Sequence, residues 1–279
     1  VILRLGRQAA VLIVTLLIGG FLGCLLLRYG PGFGIDERDF DQRYPSATLD
    51  ALHQARAGER NIAQFYFSYI RNAAHGDLGI STSLQQPVGQ LIAARTPATL
   101  WLLSLGLVAG WIPGLLLGFA AALNPRSPLP LASDLLSGFF LCFPAAVLAL
   151  ILFLMAGPAS LAIAATIFPR VYRYSRTLLS SALAEPQVLA AAARGIARPL
   201  ILLRYVLRPA LAPLIALLGV SITLAFTAAI PVEVVCDIPG LGQLAWKAAL
   251  ARDLPLLAAM TLIITGVTLT ANTAARMAQ

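Results

Sequence analysis

Charge is scarce in this chain: Asp, Glu, Lys and Arg make up 11% of 279 residues, against about a quarter in a soluble domain. Lysine occurs once, as Lys247 between Trp246 and Ala248. A phosphate loop of the form Gly-x-x-x-x-Gly-Lys-Ser/Thr needs a lysine at the terminal phosphates, so this chain does not hydrolyse ATP. Histidine occurs twice, as His53 and His75, both in a hydrophilic stretch. Neither forms a His-Glu-x-x-His pair, and no Gly-x-Ser-x-Gly element lies in an apolar run, which excludes the usual intramembrane proteases. Cys24, Cys142 and Cys236 are odd in number and far apart. They form neither a disulfide pattern nor a metal-ligand spacing, so no disulfide, metal or cofactor is expected.

What is abundant is apolar: 59% of the residues are hydrophobic and the mean hydropathy is +0.83. A lipid bilayer favours such runs and penalises charge. A helix needs about 20 apolar residues to cross the hydrocarbon core. Six segments qualify: 9–27, 97–123, 131–155, 159–174, 209–232 and 255–275. The third and fourth share an uncharged stretch that Gly157-Pro158 divides, because glycine is flexible and proline donates no helical hydrogen bond. The fourth is short, so Arg170 and Arg173 must reach back to the headgroups; a re-entrant segment is its alternative. The first could be a signal peptide behind Arg4 and Arg7, but no small-x-small cleavage site follows, and an uncleaved span is expected.

Charge sets the orientation. With six spans and the N-terminus inside, the cytoplasmic side receives Arg4, Arg7, Arg126, Arg170, Arg173, Arg176, Arg194, Arg198, Arg204, Arg208 and Arg276, against only Asp134 and Glu185. The outer side mixes the remaining nine basic residues with ten acidic ones. This is the positive-inside pattern. It also argues against nucleic acid as the partner of the +8 net charge. Removing the fourth span would place the arginines of 170–208 outside.

Two hydrophilic segments interrupt the spans. Residues 30–95 form an extracytoplasmic segment that starts acidic, with Asp36, Glu37, Asp39 and Asp41. Further on, Ile62, Phe65, Tyr66, Tyr69 and Ile70 repeat at helical spacing, giving a face that either packs on the membrane part or receives another protein. Residues 172–208 lie inside. Good helix formers fill 178–194, Gly195 interrupts, and Pro199 suits the first turn of a further helix. The expected organisation is a first transmembrane helix (1–29), an extracytoplasmic segment (30–95) and a five-span core (96–279) with a cytoplasmic helical hairpin at 178–208. Small residues in the fifth span, Ala216, Gly219 and Ser221, offer a face for close pairing with another helix.

The stretch VLAAAARGIARPLILLRYVLRPALAPLIALLG (188–219) resembles the cytoplasmic loop of ABC-importer permeases, with an Ala-Ala-x-x-x-Gly core at Ala190, Ala191 and Gly195. Arg204, Arg208 and Pro213 fall where the dipeptide/oligopeptide/nickel branch has Arg, Arg and Pro. The block GDLGISTSLQQPVGQLIAARTPATLWL (76–102) resembles that branch's approach to the second span. The block VEVVCDIPGLGQLAWKAALARDLPLL (232–257) resembles its loop before the last span, including Pro239-Gly240-Leu241-Gly242 and Ala251-Arg252-Asp253. Three departures stand out. Leu189 replaces the usual acid, Ala197 replaces a helix-capping serine, and the outer connection between the third and fourth spans is short.

The resemblance implies an all-α, six-span type I importer fold in the bacterial inner membrane, with both termini cytoplasmic. It implies half of a pore completed by a second homologous permease, with two cytoplasmic ABC ATPases and an extracytoplasmic substrate-binding protein. The cargo of such systems is dipeptides, oligopeptides or related solutes such as nickel chelates. Leu189, Ala190, Ala191, Arg194, Gly195 and Arg204 would couple to an ATPase. Glu233, Asp237 and Asp253, near the outer mouth of the last two spans, are candidates for a substrate-path rim, with solvated surface charge as the alternative. The Pro-Gly-Leu-Gly turn is expected to be structural rather than phosphate-binding. An ATP-independent secondary transporter or channel subunit is the competing function; it would normally place acidic groups at mid-membrane depth, and the six segments have none there.

Overall fold

The computed structural model describes residues 2–29 and 62–277. The acidic run Asp36, Glu37, Asp39 and Asp41 lies outside them. The described residues are helical, with one isolated bridge between Ile80 and Pro87. In order they form α1 (Ile2–Tyr29), α2 (Ile62–Ala74), α3 (Val88–Leu123), α4 (Leu129–Cys142), α5 (Ala145–Leu154) and α6 (Ser160–Leu183). Then follow α7 (Pro186–Ala193), α8 (Arg198–Ile201), a π-helical turn (Leu202–Leu207), α9 (Arg208–Val235), α10 (Leu241–Leu250) and α11 (Leu254–Met277).

Among the described residues, three helical stretches are long and apolar enough to cross a membrane: Val88–Leu123, Arg198–Val235 and Leu254–Ala271. The pair α4 and α5 makes a fourth if its two arms are counted as one span. In α1 the apolar stretch Ile13–Leu26 is shorter. Within the expected span over 131–155 the chain bends by 96° between α4 and α5. Pro144 is the cause. It disfavours helical backbone at the residue before it and has no N–H of its own. Phe143 is accordingly extended, at φ −104° and ψ 128°. Proline also divides the helix expected over 178–194: Pro186 restarts the chain at the first turn of α7, with two residues between it and the end of α6. A third proline effect lies after α8. The π-helical turn, Leu202–Leu207, stops just before Pro209; in a regular α-helix a proline ring would crowd the carbonyl four residues back, and the wider turn relieves that.

The chain folds as two compact units, Val1–Ala98 with Pro239–Leu269, and Thr99–Ile238 with Thr270–Gln279. The first gathers Cys24, Tyr66, Tyr69, Val88, Leu91, Leu244, Leu254 and Met260 into one core. The apolar face of α2 is used up here: Tyr66 and Tyr69 are buried, and Phe65 and Ile70 pack beside them. The Tyr66 hydroxyl donates to the Leu17 carbonyl at 2.8 Å. Burial, aided by nearby Cys24, pushes its pKa up to about 12, so it remains a donor at any physiological pH. Gly20 leaves room for it, since a Cβ there would meet the Tyr66 hydroxyl at 2.5 Å.

In the second unit α6 is the central helix, packed against α4, α5 and α9. Ile163, Ile167, Val171 and Tyr172 are fully buried along it. Its contact with α3 rests on glycines every fourth residue: Gly106, Gly110, Gly114 and Gly118. A Cβ on Gly106 would lie 2.7 Å from Ile163, and one on Gly114 2.9 Å from Val171. One on Gly110 would lie 3.0 Å from the Ala164 carbonyl, and at Gly118 it would collide with Ser175. Helix backbones approach this closely only where side chains are absent, and lipid offers no hydrophobic drive to do the same work. The opposite side of α3 exposes Trp101, Val108, Ile112 and Leu116. Of the small residues of the fifth span, Gly219 and Ser221 are buried within this unit and Ala216 is half-buried.

Candidate functional site

The residues grouped above as an ATPase-coupling set all lie in the second unit, around α7 and the turn before α9. The local sequence explains the shape. Pro186 starts α7 without needing a hydrogen-bonded N–H, and Gly195 ends it at φ +77°. The Gly195 N–H then donates to Ala192 at 3.0 Å and the Ile196 N–H to Ala191 at 3.2 Å, the paired closure that a left-handed residue permits. Ile196 folds back onto a small core containing Leu179, Val188, Ala191, Ile201 and Val206. Val188 and Ala191, one turn apart, thus hold α7 against its own unit.

This divides the predicted set. Ala191 is 3% exposed and faces inward, whereas Leu189, two residues before it, is 66% exposed. Ala190, Arg194, Gly195 and Arg204 are also exposed. A Cβ added at Gly195 would find no other atom within 4 Å. Ala197 stands at the start of α8 with no side-chain cap. The outer surface of α7 therefore offers one exposed leucine, small side chains, and arginines on either side of a sharp turn.

The second candidate group separates in a different way. Glu233 is fully buried near the end of α9, where its Oε1 accepts a hydrogen bond from Thr99 Oγ1 at 2.7 Å. Asp237 is exposed, at φ 50°, and ends α9: the Ile238 N–H reaches back to the Glu233 carbonyl at 2.9 Å. Asp253 lies in the first unit and is also fully buried. One of its oxygens accepts from Ser81 Oγ, from the Ser83 N–H at 2.9 Å and from Ser83 Oγ at 2.7 Å. The other accepts from the Leu256 N–H at 3.1 Å and so caps α11. Of the three carboxylates only Asp237 is exposed to solvent. The Pro-Gly-Leu-Gly stretch leads into α10, with Gly240 just ahead of its first turn.

Two features escaped the sequence reading. The four-glycine ladder of α3 was legible as a period of four in GLVAGWIPGLLLG (106–118). The Ser81 and Ser83 clamp on Asp253 was not, because 172 and 170 residues separate the partners. Among the described residues no cluster of three or more His, Cys, Asp or Glu side chains could hold a metal ion.

Residues 114–279 match the family described as the binding-protein-dependent transport system inner membrane component. The glutathione transport system permease protein of Escherichia coli is 28% identical over 235 residues, covering 77% of this chain and 76% of that protein. Its counterpart in Shigella boydii is 27% identical over the same length and coverage. A putative peptide permease protein of Brucella suis is 28% identical over 270 residues, covering 86% and 85%.

Proposed function

The chain belongs to the family of binding-protein-dependent transport system inner membrane components, and from that footing we propose that it forms half of the pore of an ATP-driven importer of short peptides. It is a permease subunit of an ABC importer. The finer reading is that it crosses the bacterial inner membrane six times with both termini inside, and pairs with a second homologous permease. Two cytoplasmic ATPases bind the pair, and an extracytoplasmic binding protein delivers the cargo. Glutathione and peptides, named for the relatives, support short peptides as the cargo class; related small solutes such as nickel chelates are the other cargo that the family resemblance implies.

The observation that carries the coupling reading is α7. A helix this short is not stable alone, yet Val188 and Ala191 anchor it while Leu189 projects outward. In the proposal Leu189, Ala190, Arg194, Gly195 and Arg204 meet an ATPase, and Ala191 seats the helix that presents them. Closure of the ATPase pair on ATP then biases the permeases between inward- and outward-facing states. On the outer side, Asp237 is the candidate rim charge that faces solvent. Glu233 and Asp253 are buried, each among partners of its own unit.

Gly195 provides the test. Within the chain a side chain there meets open space, so its cost is the left-handed backbone alone, about 1–2 kcal/mol for most residues and less for asparagine. Gly195→Asn should retain the ATPases during purification. Gly195→Glu should reach the membrane in normal amounts, yet lose both co-purifying ATPases and uptake. Equal ATPase recovery and normal uptake with Gly195→Glu would refute coupling through this turn.

A further inference from the structure

We propose that α2 is a half-helix set within the thickness of the bilayer, where its exposed face lines the water-filled path of the importer and touches the peptide cargo. It belongs to the segment expected outside, yet three distances within the first unit place it deeper. The Tyr66 hydroxyl donates to the Leu17 carbonyl, and Leu17 stands ten residues after Arg7 and eleven before Arg28. Those arginines bracket the apolar run of α1, so Leu17 lies about 15 Å from either, at the middle of a core about 30 Å thick. At the same level, a Cβ on Gly20 would meet the Tyr66 hydroxyl and also Leu262, the latter at 3.3 Å. Leu262 follows Asp253 by nine residues, about 13 Å along α11. From Tyr66 to the end of α2 at Ala74 is eight residues, about 12 Å. A short turn beyond, Ser81 donates to Asp253 at the start of α11. The helix α2 thus rises from mid-depth to the level where α11 begins.

The other face of α2 is polar at that depth. Tyr66 and Tyr69 are buried and Phe65, Ile70 and Ala73 pack beside them, whereas Ala63, Gln64, Phe67, Ser68, Arg71 and Asn72 are exposed. Arg71 lies five residues past Tyr66, about 7.5 Å along the axis and only half-way out of the core. Hydrocarbon accepts a guanidinium there at high cost, and ionisable side chains at membrane depth face water-filled cavities instead. Lipid also disfavours a helix that starts inside it, because the first N–H groups have no partner within the helix; a water-lined cavity supplies one. The sequence leading into α2, Glu59-Arg60-Asn61, is polar as well. Ile18 of α1, next to Leu17, is 54% exposed and apolar, as a lipid-facing position requires. Phe67, at 80%, is the most exposed large apolar side chain among the described residues. One turn before Arg71 and on the same face, it completes a surface matched to a short peptide. The guanidinium takes the terminal carboxylate, and the ring takes an apolar side chain.

The cargo contact rests on the reading of the chain as half of a peptide pore; the depth of α2 rests only on α1 and α11 crossing the bilayer. Two measurements keep them apart. In the first, the importer complex in lipid nanodiscs carries a spin label at Ala63→Cys, Phe67→Cys, Ile18→Cys or Gln85→Cys, in a background lacking Cys24, Cys142 and Cys236. Chromium oxalate stays in water and oxygen concentrates in hydrocarbon. Oxalate collision at Ala63 and Phe67 should match Gln85 within about twofold, and at Ile18 it should be about fivefold or more lower. Values at Phe67 equal to those at Ile18 would put α2 against lipid. Low collision with both reagents would put it under protein. Either result overturns the proposal. Oxalate reaching Ile18 as well would take α1 out of the bilayer, and the depth of α2 with it. In the second measurement, benzoylphenylalanine replaces Phe67 or Ile18 while the complex turns over ATP with its binding protein and radiolabelled glutathione or dialanine. Light should join the peptide to the chain at position 67 and not at 18, and Arg71→Gln should lower the yield about fivefold. No capture at 67 during measured uptake would refute the cargo contact. No uptake of either peptide by the wild-type complex would refute short peptides as the cargo, while the collision data alone decide where α2 lies.

Discussion

Ser83 holds Asp253 twice, through its backbone N–H at 2.9 Å and its hydroxyl at 2.7 Å, across 170 residues of sequence. The same carboxylate caps α11 through Leu256. Asp253→Ala removes a helix cap and leaves buried donors without an acceptor, a loss of about 2–4 kcal/mol. Asp253→Asn keeps an oxygen for the cap and should cost less. Thermal unfolding of the purified protein, set beside uptake at equal membrane abundance, separates the two roles. A stable Asp253→Asn protein that had lost only substrate affinity would assign this residue to the transport path instead.

The glycine ladder of α3 predicts a graded response. Gly114→Ala forces α3 away from Val171, and Gly110→Ala meets the Ala164 carbonyl, which cannot rotate aside. Each should destabilise by about 1–3 kcal/mol. Gly89, whose Cβ would meet no other atom within 4 Å, should accept alanine at no such cost. Melting temperatures in one detergent measure the contrast. Equal melting of Gly89→Ala and Gly114→Ala would show that close helix approach is not what these residues supply.

Three helices end on left-handed residues that are not glycine: Ala156 at φ 52°, Asp237 at φ 50° and Arg252 at φ 53°. Alanine is the least suited to that backbone, because its Cβ crowds the neighbouring carbonyl and it has no polar group to compensate. Ala156→Gly should therefore stabilise the second unit by about 0.5–1 kcal/mol. The same thermal assay reads the sign. A fall in stability would mean that the extra chain entropy of glycine outweighs the relief of strain.

Topology is tested by thiol labelling. In a background lacking Cys24, Cys142 and Cys236, a cysteine at Gln85 should react with an impermeant reagent from outside intact cells. One at Ser180 should react only after the membrane is opened. Both positions are exposed, so access to the reagent is limited by the bilayer and not by the fold. Labelling of Ser180 in intact cells would overturn the six-span arrangement.

Local signals in the sequence were read correctly where the cause is local. Gly195 lies left-handed where a helix formed by Pro186–Ala193 has to stop, and the break at Gly157-Pro158 falls between α5 and α6. The bend at Pro144 was equally local and still went unread. An uncharged run satisfies a hydropathy window whether it is straight or folded, and the window carries no term for the backbone before a proline.

The sequence by itself determined the class of this protein: apolar runs of bilayer length and an uneven distribution of arginine need no tertiary information, because each follows from the solvent a segment must tolerate. Its blocks at 76–102, 188–219 and 232–257 also indicated the family. Only the tertiary structure decided which polar groups meet. Asp253 and Glu233 stood in the sequence as candidates for a substrate-path rim, with solvated charge as the alternative, and the fold buries both with partners 170 and 134 residues away. Arg173 and Arg176 read simply as inside-positive residues until α4 brought Asp134 and Ser137 beside them. A carboxylate or guanidinium is functional or structural according to the groups that surround it in space, and sequence spacing fixes those only within a helical turn.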